Sequence, residues 1–220
     1  MSFEAQILEI VALSLRVSLM AVLLAAVLGI ALGAVLAVGK FPGRVPLTVL
    51  VNALMGLPPV VVGLGLYLLL SRSGPLGVLQ LLYTPTAMII AQMVLVTPII
   101  ASFSQQIFSD LNDEYDEMLR SMRASRVQVM LTLFMDARHS LITALLAGLG
   151  RALSEIGAVM IVGGNIAHAT RVMTTAIALE TSKGNLHLAV ALGLILMALS
   201  VVINIVLVLL RARLERLAYV

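Results

Sequence analysis

The residues best suited to do chemistry are an arginine and a glutamate in an otherwise apolar stretch. Arg151 and Glu155 are the only charged side chains of residues 141–163 and stand four positions apart, a spacing that puts both on one face of a helix. Within a membrane each charge costs about 3 kcal/mol unless it pairs or faces water. Two interpretations stay open: a structural ion pair that locks a helix bundle, or an arginine that attracts a dianion while the glutamate orients it.

Residues 163–187 form a mildly polar segment directly after this stretch. Two glycines and Asn165 predict a break, and residues 174–183, which include Glu180, predict a short outer helix or a re-entrant gate. Hydroxyl and cationic side chains in this segment suit an oxyanion, but they suit an ordinary surface loop as well: His168, Thr170, Arg171, Thr174 and Thr175. His168 has no second ligand at helical spacing, which argues against a metal site.

The one substantial polar insertion lies at residues 110–139. Its apolar residues recur at three- and four-residue steps, the pattern of a helix face, in two sets separated by a five-residue step. The first set is Tyr115, Met118, Leu119 and Met122, and the second is Val127, Met130, Leu131 and Phe134. This pattern predicts two short helices with a bend at Ala124-Ser125.

The charges of the same insertion follow an order that complements a helix dipole, with acids first and arginines later. The acids are Asp113, Glu114, Asp116 and Glu117, and the arginines are Arg120, Arg123 and Arg126. Two interpretations fit this pattern. One is an amphipathic helix on the inner membrane surface, its arginines toward anionic lipid; the other is a protrusion that inserts into a groove on a cytoplasmic partner.

The composition indicates which kind of structure positions these residues. Of the 220 residues 61% are hydrophobic and 11% are charged, and the mean hydropathy is +1.11. A soluble domain is nearer 45–50% apolar and about 25% charged. These values exclude a water-soluble protein, a disordered chain and a nucleic-acid-binding domain. The chain has no cysteine, so a disulfide framework and a cysteine-ligated metal are excluded as well.

Five stretches are long and apolar enough to cross a membrane, which takes about 20 residues. We therefore predict an all-α integral membrane protein with one domain over residues 1–220 and spans at about 11–38, 45–70, 83–108, 141–163 and 188–210. Pro58-Pro59 breaks the second span. It predicts either a kinked helix that lines a pore or a kink that serves only packing.

The basic residues predict the orientation of these spans. With the N-terminus outside, the inner segments hold nine of them: Lys40, Arg44, Arg120, Arg123, Arg126, Arg138, Arg211, Arg213 and Arg216. The outer segments hold three: Arg72, Arg171 and Lys183. Cytoplasmic loops carry the excess of Lys and Arg. We expect the N-terminus outside, the C-terminus inside, and residues 110–139 in the cytoplasm.

The insertion resembles a motif of bacterial ABC importer permeases. Glu117-Met118-Leu119, followed after three residues by Arg123, is similar to the Glu-Ala-Ala-x-x-x-Gly motif of their cytoplasmic loop, with Arg123 in the glycine position. The resemblance implies a short helix that docks on the ATPase subunit and couples ATP hydrolysis to movement of the pore. The residues it assigns to coupling are Glu117, Met118, Leu119, Arg120, Ser121, Arg123, Ala124 and Ser125.

A second stretch resembles tungstate importer permeases, and more loosely those for molybdate and sulfate. The blocks that carry this resemblance are Gly150-Arg151-Ala152, Glu155-Ile156-Gly157-Ala158, Gly163-Gly164-Asn165 and Glu180-Thr181-Ser182-Lys183-Gly184. It implies a type I importer permease that works with a cytoplasmic ABC ATPase and an extracytoplasmic oxyanion-binding protein, in the inner membrane of a bacterium or archaeon. The expected pathway or gate residues are Arg151, Glu155, Asn165, Thr174, Thr175 and Glu180.

The sequence also lacks the motifs of several enzymes. It contains no Gly-x-x-x-x-Gly-Lys-Ser/Thr phosphate loop, so we expect a transport subunit that binds no cofactor itself, with ATP and Mg on the partner ATPase. Five spans are few for an alternating-access path, which predicts a homodimer with a central two-fold pathway. Membrane lipid is an expected partner and nucleic acid is not. A secondary transporter is a remote alternative, because such proteins usually show two related halves.

Overall fold

The computed structural model describes residues 3–218, without the side chains of 3–5, 120, 126, 210, 211 and 214–218. All regular structure in this range is helical. The helices are α1 (Phe3–Val38), α2 (Arg44–Leu54), α3 (Pro59–Leu70), α4 (Pro85–Ser121), α5 (Arg126–Ala137), α6 (Leu141–Leu153), α7 (Gly157–Gly163), α8 (Met173–Ser182) and α9 (Leu186–Ala218). A 3₁₀ turn, Gly77–Leu79, precedes α4.

The interface between α1 and α4 is the most extensive in the described chain. Two glycines of α1, four residues apart, allow the two backbones to approach closely, as small residues do between membrane helices. A Cβ atom on Gly29 would lie 2.9 Å from Ile100 Cβ, and one on Gly33 would lie 2.7 Å from the carbonyl oxygen of Ala101. The side chains of α4 therefore fill the space that the glycines leave.

Of the five apolar core clusters among the described residues, three follow one another along α4. The first contains Met88 and Ala91 of α4, the second Val96 and Ile100, and the third Phe108. The third cluster also holds Leu133 of α5, so the segment after α4 is attached to the core through buried contacts. Helix α4 thus contacts α1, α2, α3, α5, α6 and α7, whereas α8 and α9 pack mainly on each other.

The second predicted span is two helices rather than one kinked helix. The axes of α2 and α3 meet at 101°. Pro58 precedes α3 with extended backbone angles, and Pro59 takes its first position. Proline is well tolerated there because the first helical N–H groups have no partner within the helix. The prolines therefore end one helix and start the next.

The polar insertion at residues 110–139 was predicted to hold two short helices, and for the first of them this is wrong. Residues 110–121 continue α4 without interruption, so that α4 has 37 residues and is about 56 Å long at 1.5 Å per residue. Because an apolar membrane core is only about 30 Å thick, the continuation projects well beyond it. The predicted bend at Ala124-Ser125 is present between α4 and α5.

By length and composition, three described helices are able to cross a membrane: Gln6–Val38, Pro85–Leu119 and Leu186–Leu209. The number rises to five if each bent pair counts as one span, namely Arg44–Leu54 with Pro59–Leu70 and Val127–Ala137 with Leu141–Leu153. The predicted fourth span, 141–163, is divided in the structure into α6 and α7.

Replacing Gly33 by alanine tests the packing of α1 on α4. We expect Gly33→Ala to lower the stability by about 1–3 kcal/mol, because an added methyl group overpacks a backbone contact. Gly193→Ala is the matched control: nothing lies within 4 Å of its added Cβ, and alanine favours a helix over glycine by about 1 kcal/mol. Thermal unfolding in detergent, followed by far-UV circular dichroism, measures both variants. Equal midpoints for the two would contradict the packing described.

Candidate functional site

The centre of the candidate site is the break between α6 and α7, at Ser154-Glu155-Ile156. Glu155 is 2% exposed, and its carboxylate Oε1 accepts a hydrogen bond from the backbone N–H of Ala158 at 2.9 Å. The carbonyl oxygen of Glu155 accepts a hydrogen bond from Thr174 Oγ1 of α8, also at 2.9 Å. Glu155 therefore satisfies an unpaired N–H at the start of α7 and fixes α8 against the break.

Arg151 and Glu155 form the ion pair that their spacing predicts. Arg151 Nη1 lies 3.1 Å from Glu155 Oε2, with the arginine side chain 28% exposed. Gly150 and Ser154, on the same side of α6, are exposed as well. The pair is thus asymmetric: the carboxylate is enclosed, and the guanidinium reaches the surface that a passing anion would touch.

Gln92 is a member of this site that the sequence interpretation missed. It lies on α4, is 3% exposed, and its Nε2 donates a 3.0 Å hydrogen bond to the carbonyl oxygen of Ala152. Its Oε1 is buried and has no hydrogen-bond partner among the described residues. An amide in an otherwise apolar span was the available signal, because a buried polar group is costly unless it is paired.

The start of α8 is fixed to α1 by a serine. Ser14 Oγ accepts a hydrogen bond from the N–H of Met173 at 2.7 Å and donates one to the carbonyl oxygen of Ile10, also at 2.7 Å. Ser14, Gln92 and Thr174 line one small cavity beside the break. Helices α1, α4, α6 and α8 thus meet at a buried polar cluster.

The predicted gate residues of the outer segment are mostly engaged with the backbone. Thr175 is fully buried, and its Oγ1 accepts a 3.1 Å hydrogen bond from the N–H of Val172 at the start of α8. Asn165 adopts a left-handed conformation with φ +50°; its Nδ2 donates to the carbonyl oxygen of Thr175 at 3.3 Å. Thr170 Oγ1 donates to the carbonyl oxygen of Gly163. In this conformation these groups order the segment rather than face solvent.

Charged side chains cluster at the outer edge of the same segment. Lys183 Nζ and Asn185 Nδ2 donate hydrogen bonds to Glu180 at 2.9 and 3.0 Å, and these bonds hold the pKa of the Glu180 carboxyl below its ordinary value. His168 Nδ1 lies 2.7 Å from Glu9 Oε2 near the start of α1. Within the described residues, no three His, Cys, Asp or Glu side chains come close enough to hold a metal ion.

The turn between α4 and α5 forms the second part of the candidate site. The N–H of Ala124 donates to the carbonyl oxygen of Leu119 at 3.0 Å, and Arg123 has φ +52°. This is the Schellman arrangement that ends many helices, with a left-handed residue where glycine is usual. The left-handed residue stands at the position for which the importer motif has its glycine, so the turn keeps its shape at a conformational cost.

Helix α5 begins with a reciprocal capping box. Ser125 Oγ accepts from the N–H of Gln128 at 3.4 Å, and Gln128 Oε1 accepts from the N–H of Ser125 at 2.7 Å. Glu117, Ser121 and Arg123 are exposed. The side chain of Arg120 lies outside the described residues, so the coupling role that the importer motif implies for it stays a prediction.

One side of this segment presents apolar side chains to solvent. We name it the coupling face; its residues are 48–71% exposed and comprise Met118, Met122, Val127, Leu131, Phe134 and Met135. On the opposite side Leu119, Leu133 and Ala137 are buried. An exposed apolar patch beside charged residues is typical of a protein–protein or membrane interaction site, so the patch fits both interpretations of this segment.

The arrangement described so far is that of a helical transport subunit, and comparison with known proteins agrees. Residues 8–216 match the family model described as "Binding-protein-dependent transport system inner membrane component". The chain belongs to this family and is an inner membrane protein.

Its relatives include permeases for anions. A probable anion ABC transporter permease protein of Haloferax volcanii is 40% identical over 203 residues, covering 90% of this chain and 88% of the relative. The tungstate uptake system permease protein TupB of Peptoclostridium acidaminophilum is 40% identical over 205 residues, covering 93% and 90%. The sulfate transport system permease protein CysT of Salmonella typhimurium is 28% identical over 171 residues, covering 74% and 62%.

Replacing Arg123 by glycine tests the turn between α4 and α5. We expect Arg123→Gly to raise the stability by about 1 kcal/mol, because glycine adopts left-handed angles without the cost borne by other residues. Arg123→Ala is the matched control, since it removes the same side chain but keeps the Cβ. Thermal unfolding of the purified chain measures both. A gain of equal size in the alanine variant would show that the arginine side chain, and not its backbone, is the unfavourable element.

A double-mutant cycle separates the two interpretations of Arg151 and Glu155. Arg151→Met alone leaves a buried carboxylate without its partner, and we expect a loss of about 3 kcal/mol. Adding Glu155→Gln removes that charge and should restore most of the stability. If the restored double variant also supports uptake in cells, the pair has only a structural role. If it is stable but inactive in uptake, the charge of Arg151 serves the anion.

Proposed function

We propose that this chain is the membrane-spanning permease subunit of an ATP-driven importer that carries an oxyanion, most specifically tungstate, into the cytoplasm. The observation that carries the proposal is the position of Arg151. Its side chain is partly exposed, and the buried carboxylate of Glu155 holds it beside the break between α6 and α7. A cation fixed in this way attracts a dianion, and the neighbouring carboxylate keeps it from trapping the ion too tightly. The names of the 40%-identical relatives support an anion in general and tungstate in particular.

The orientation we propose has the N-terminus outside and the C-terminus inside, with five spans. The excess of Lys and Arg in the predicted inner segments supports the orientation, and contacts between distant parts of the chain support the grouping of the connecting segments at two ends. Glu9 pairs with His168, and the N–H of Tyr83 donates to the carbonyl oxygen of Val162, so these segments share one end of the molecule. Lys40 lines a cavity together with Asn112, which groups the predicted inner segments at the other end.

The ATPase would dock on residues 110–139, which we name the coupling segment. The exposed coupling face supplies apolar contact area, and Glu117 supplies charge beside it. The left-handed backbone of Arg123, at the position where the importer motif has its glycine, supports this docking site. ATP and Mg would be bound by the partner subunit, and this chain would bind no cofactor and carry no ATPase site of its own.

A homodimer would complete the pathway. The helices α2 and α3 leave apolar side chains exposed, among them Val49, Val61 and Leu64, and a second copy or lipid has to cover them. An oxyanion-binding protein would dock on the outer segment 163–187. When ATP draws the two ATPases together, the coupling segment would move with them, the two halves would rock outward, and the anion would pass Arg151. Hydrolysis would then restore the inward-facing state.

Metal content of cells tests this proposal directly. We expect cells that lack this chain to accumulate less tungsten than the parent when grown with trace tungstate and molybdate together, and the intact chain to restore it. Elemental mass spectrometry of washed cells gives the measurement. A chain with Glu117→Arg should fail to restore uptake, while Arg72→Glu, a charge reversal at an exposed residue outside residues 110–139, is the matched control.

The pattern of loss decides the substrate. Loss of molybdenum, or loss of sulfate uptake in a parallel assay, would still support an oxyanion importer but would identify molybdate or sulfate as its substrate. Unchanged contents of both metals together with unchanged sulfate uptake would overturn the proposed transport of these oxyanions. A gradient-driven mechanism would be indicated if uptake persisted without the ATPase.

A further inference from the structure

A cavity of about 220 Å³ lies between the core and the coupling segment. Its walls come from the end of α1 (Ala37), the following turn (Lys40), the start of α2 (Arg44), the continuation of α4 (Asn112 and Asp116) and the turn before α5 (Ala124). A single water needs only about 10–15 Å³ of such space. The cavity is therefore large enough for a group of several heavy atoms.

The two basic residues of the wall are held differently. Arg44 Nε and Nη2 donate to the carbonyl oxygens of Leu36 and Ala37 at 2.6 and 2.7 Å, which closes the end of α1 and fixes the guanidinium. Lys40 makes no hydrogen bond or ion pair with any described residue. One cation is thus pre-positioned, and a second is free to close on a ligand.

The remaining polar groups give the cavity a net positive charge. Asp116 is the only acid among the lining residues, against Lys40 and Arg44, and it interacts with another group of its own. Asn112 offers an amide that can donate. Fixed cations with a neutral donor are the combination that recognises phosphate-like groups.

The cavity lies on the side of the segment that faces the core. Leu119 and Val129 line it, and neither belongs to the exposed coupling face. An ATPase docked on the coupling face would therefore leave the cavity accessible. A ligand in it would touch both the core, through Lys40, and the coupling segment, through Asn112.

We propose that this cavity binds a compact oxyanion group, either the phosphate of an anionic lipid headgroup or a free phosphate-like anion, and that the bound group holds the coupling segment against the core. Its placement on the cytoplasmic side rests on the orientation proposed above. The site is separate from the transport pathway, because Arg151 lies in a different part of the fold, where α6 breaks beside α4 and α8.

Binding of inorganic phosphate to the purified full-length chain in neutral detergent is the first arm of the test, measured by isothermal titration calorimetry. We expect one saturable site. Lys40→Gln should weaken it about tenfold, the loss of one charge-assisted contact, and Asp116→Asn should tighten it. Arg72→Gln, at an exposed arginine outside the cavity, is the matched control and should leave the affinity unchanged.

The second arm distinguishes the lipid as the source. The chain is placed in nanodiscs of phosphatidylcholine with or without phosphatidylglycerol, and hydrogen exchange of residues 122–137 is followed. The site is assigned to the lipid headgroup if three results are found together. Phosphatidylglycerol slows the exchange, the Lys40→Gln variant no longer shows this slowing, and free phosphate does not bind. Binding that is insensitive to Lys40→Gln and Asp116→Asn in both arms, or no binding in either, would overturn the proposal. Neither arm depends on transport, so these experiments test the phosphate site independently of the uptake experiment, which tests the proposed function.

Discussion

The carboxylate of Glu155 is the one charged side chain that the described interior has to accommodate, and four helices are arranged to do so. The free energy that this charge costs in an apolar medium is offset by Arg151 and by the N–H of Ala158. Thr174 donates a hydrogen bond to the backbone oxygen of Glu155, and Gln92 donates one to the backbone oxygen of Ala152. The bond from Thr174 is possible because α6 ends at Leu153: in a continuous helix the Glu155 carbonyl would accept a backbone N–H from the next turn. The charge and the helix break therefore depend on each other.

Close packing of small residues makes this arrangement possible. The glycines of α1 bring its backbone against α4, so that Ser14, on α1, and Gln92, on α4, line the same cavity. Membrane helices gain little from excluding lipid from an interface, and their association depends on such steric fit and on buried hydrogen bonds. In this chain the glycines fit α1 against α4, and the buried hydrogen bonds join α1 to the start of α8 and α4 to α6.

Much of this could be predicted from sequence, because the relevant patterns are local. Apolar stretches predict helices that are able to cross a membrane, the spacing of Arg151 and Glu155 predicts their ion pair, and the phase change after Met122 predicts the bend before α5. The continuity of α4 into the insertion was missed, since a helix face that turns from apolar to charged looks like a new element. Gln92 was missed because its role depends on the backbone of Ala152, 60 residues away, and no local pattern records such a contact.

The length of α4 has a mechanical consequence. If the helix pivots where it crosses the glycines of α1, near Ile100, its arm to Ser121 measures about 32 Å and its arm to Gln92 about 12 Å, at 1.5 Å per residue. The helix is then a lever with unequal arms, which reduces a displacement of 3 Å at Ser121 to about 1 Å at Gln92. A shift of that size is enough to break the hydrogen bond from Gln92 to Ala152, so a coarse movement outside the membrane becomes a fine adjustment beside Arg151.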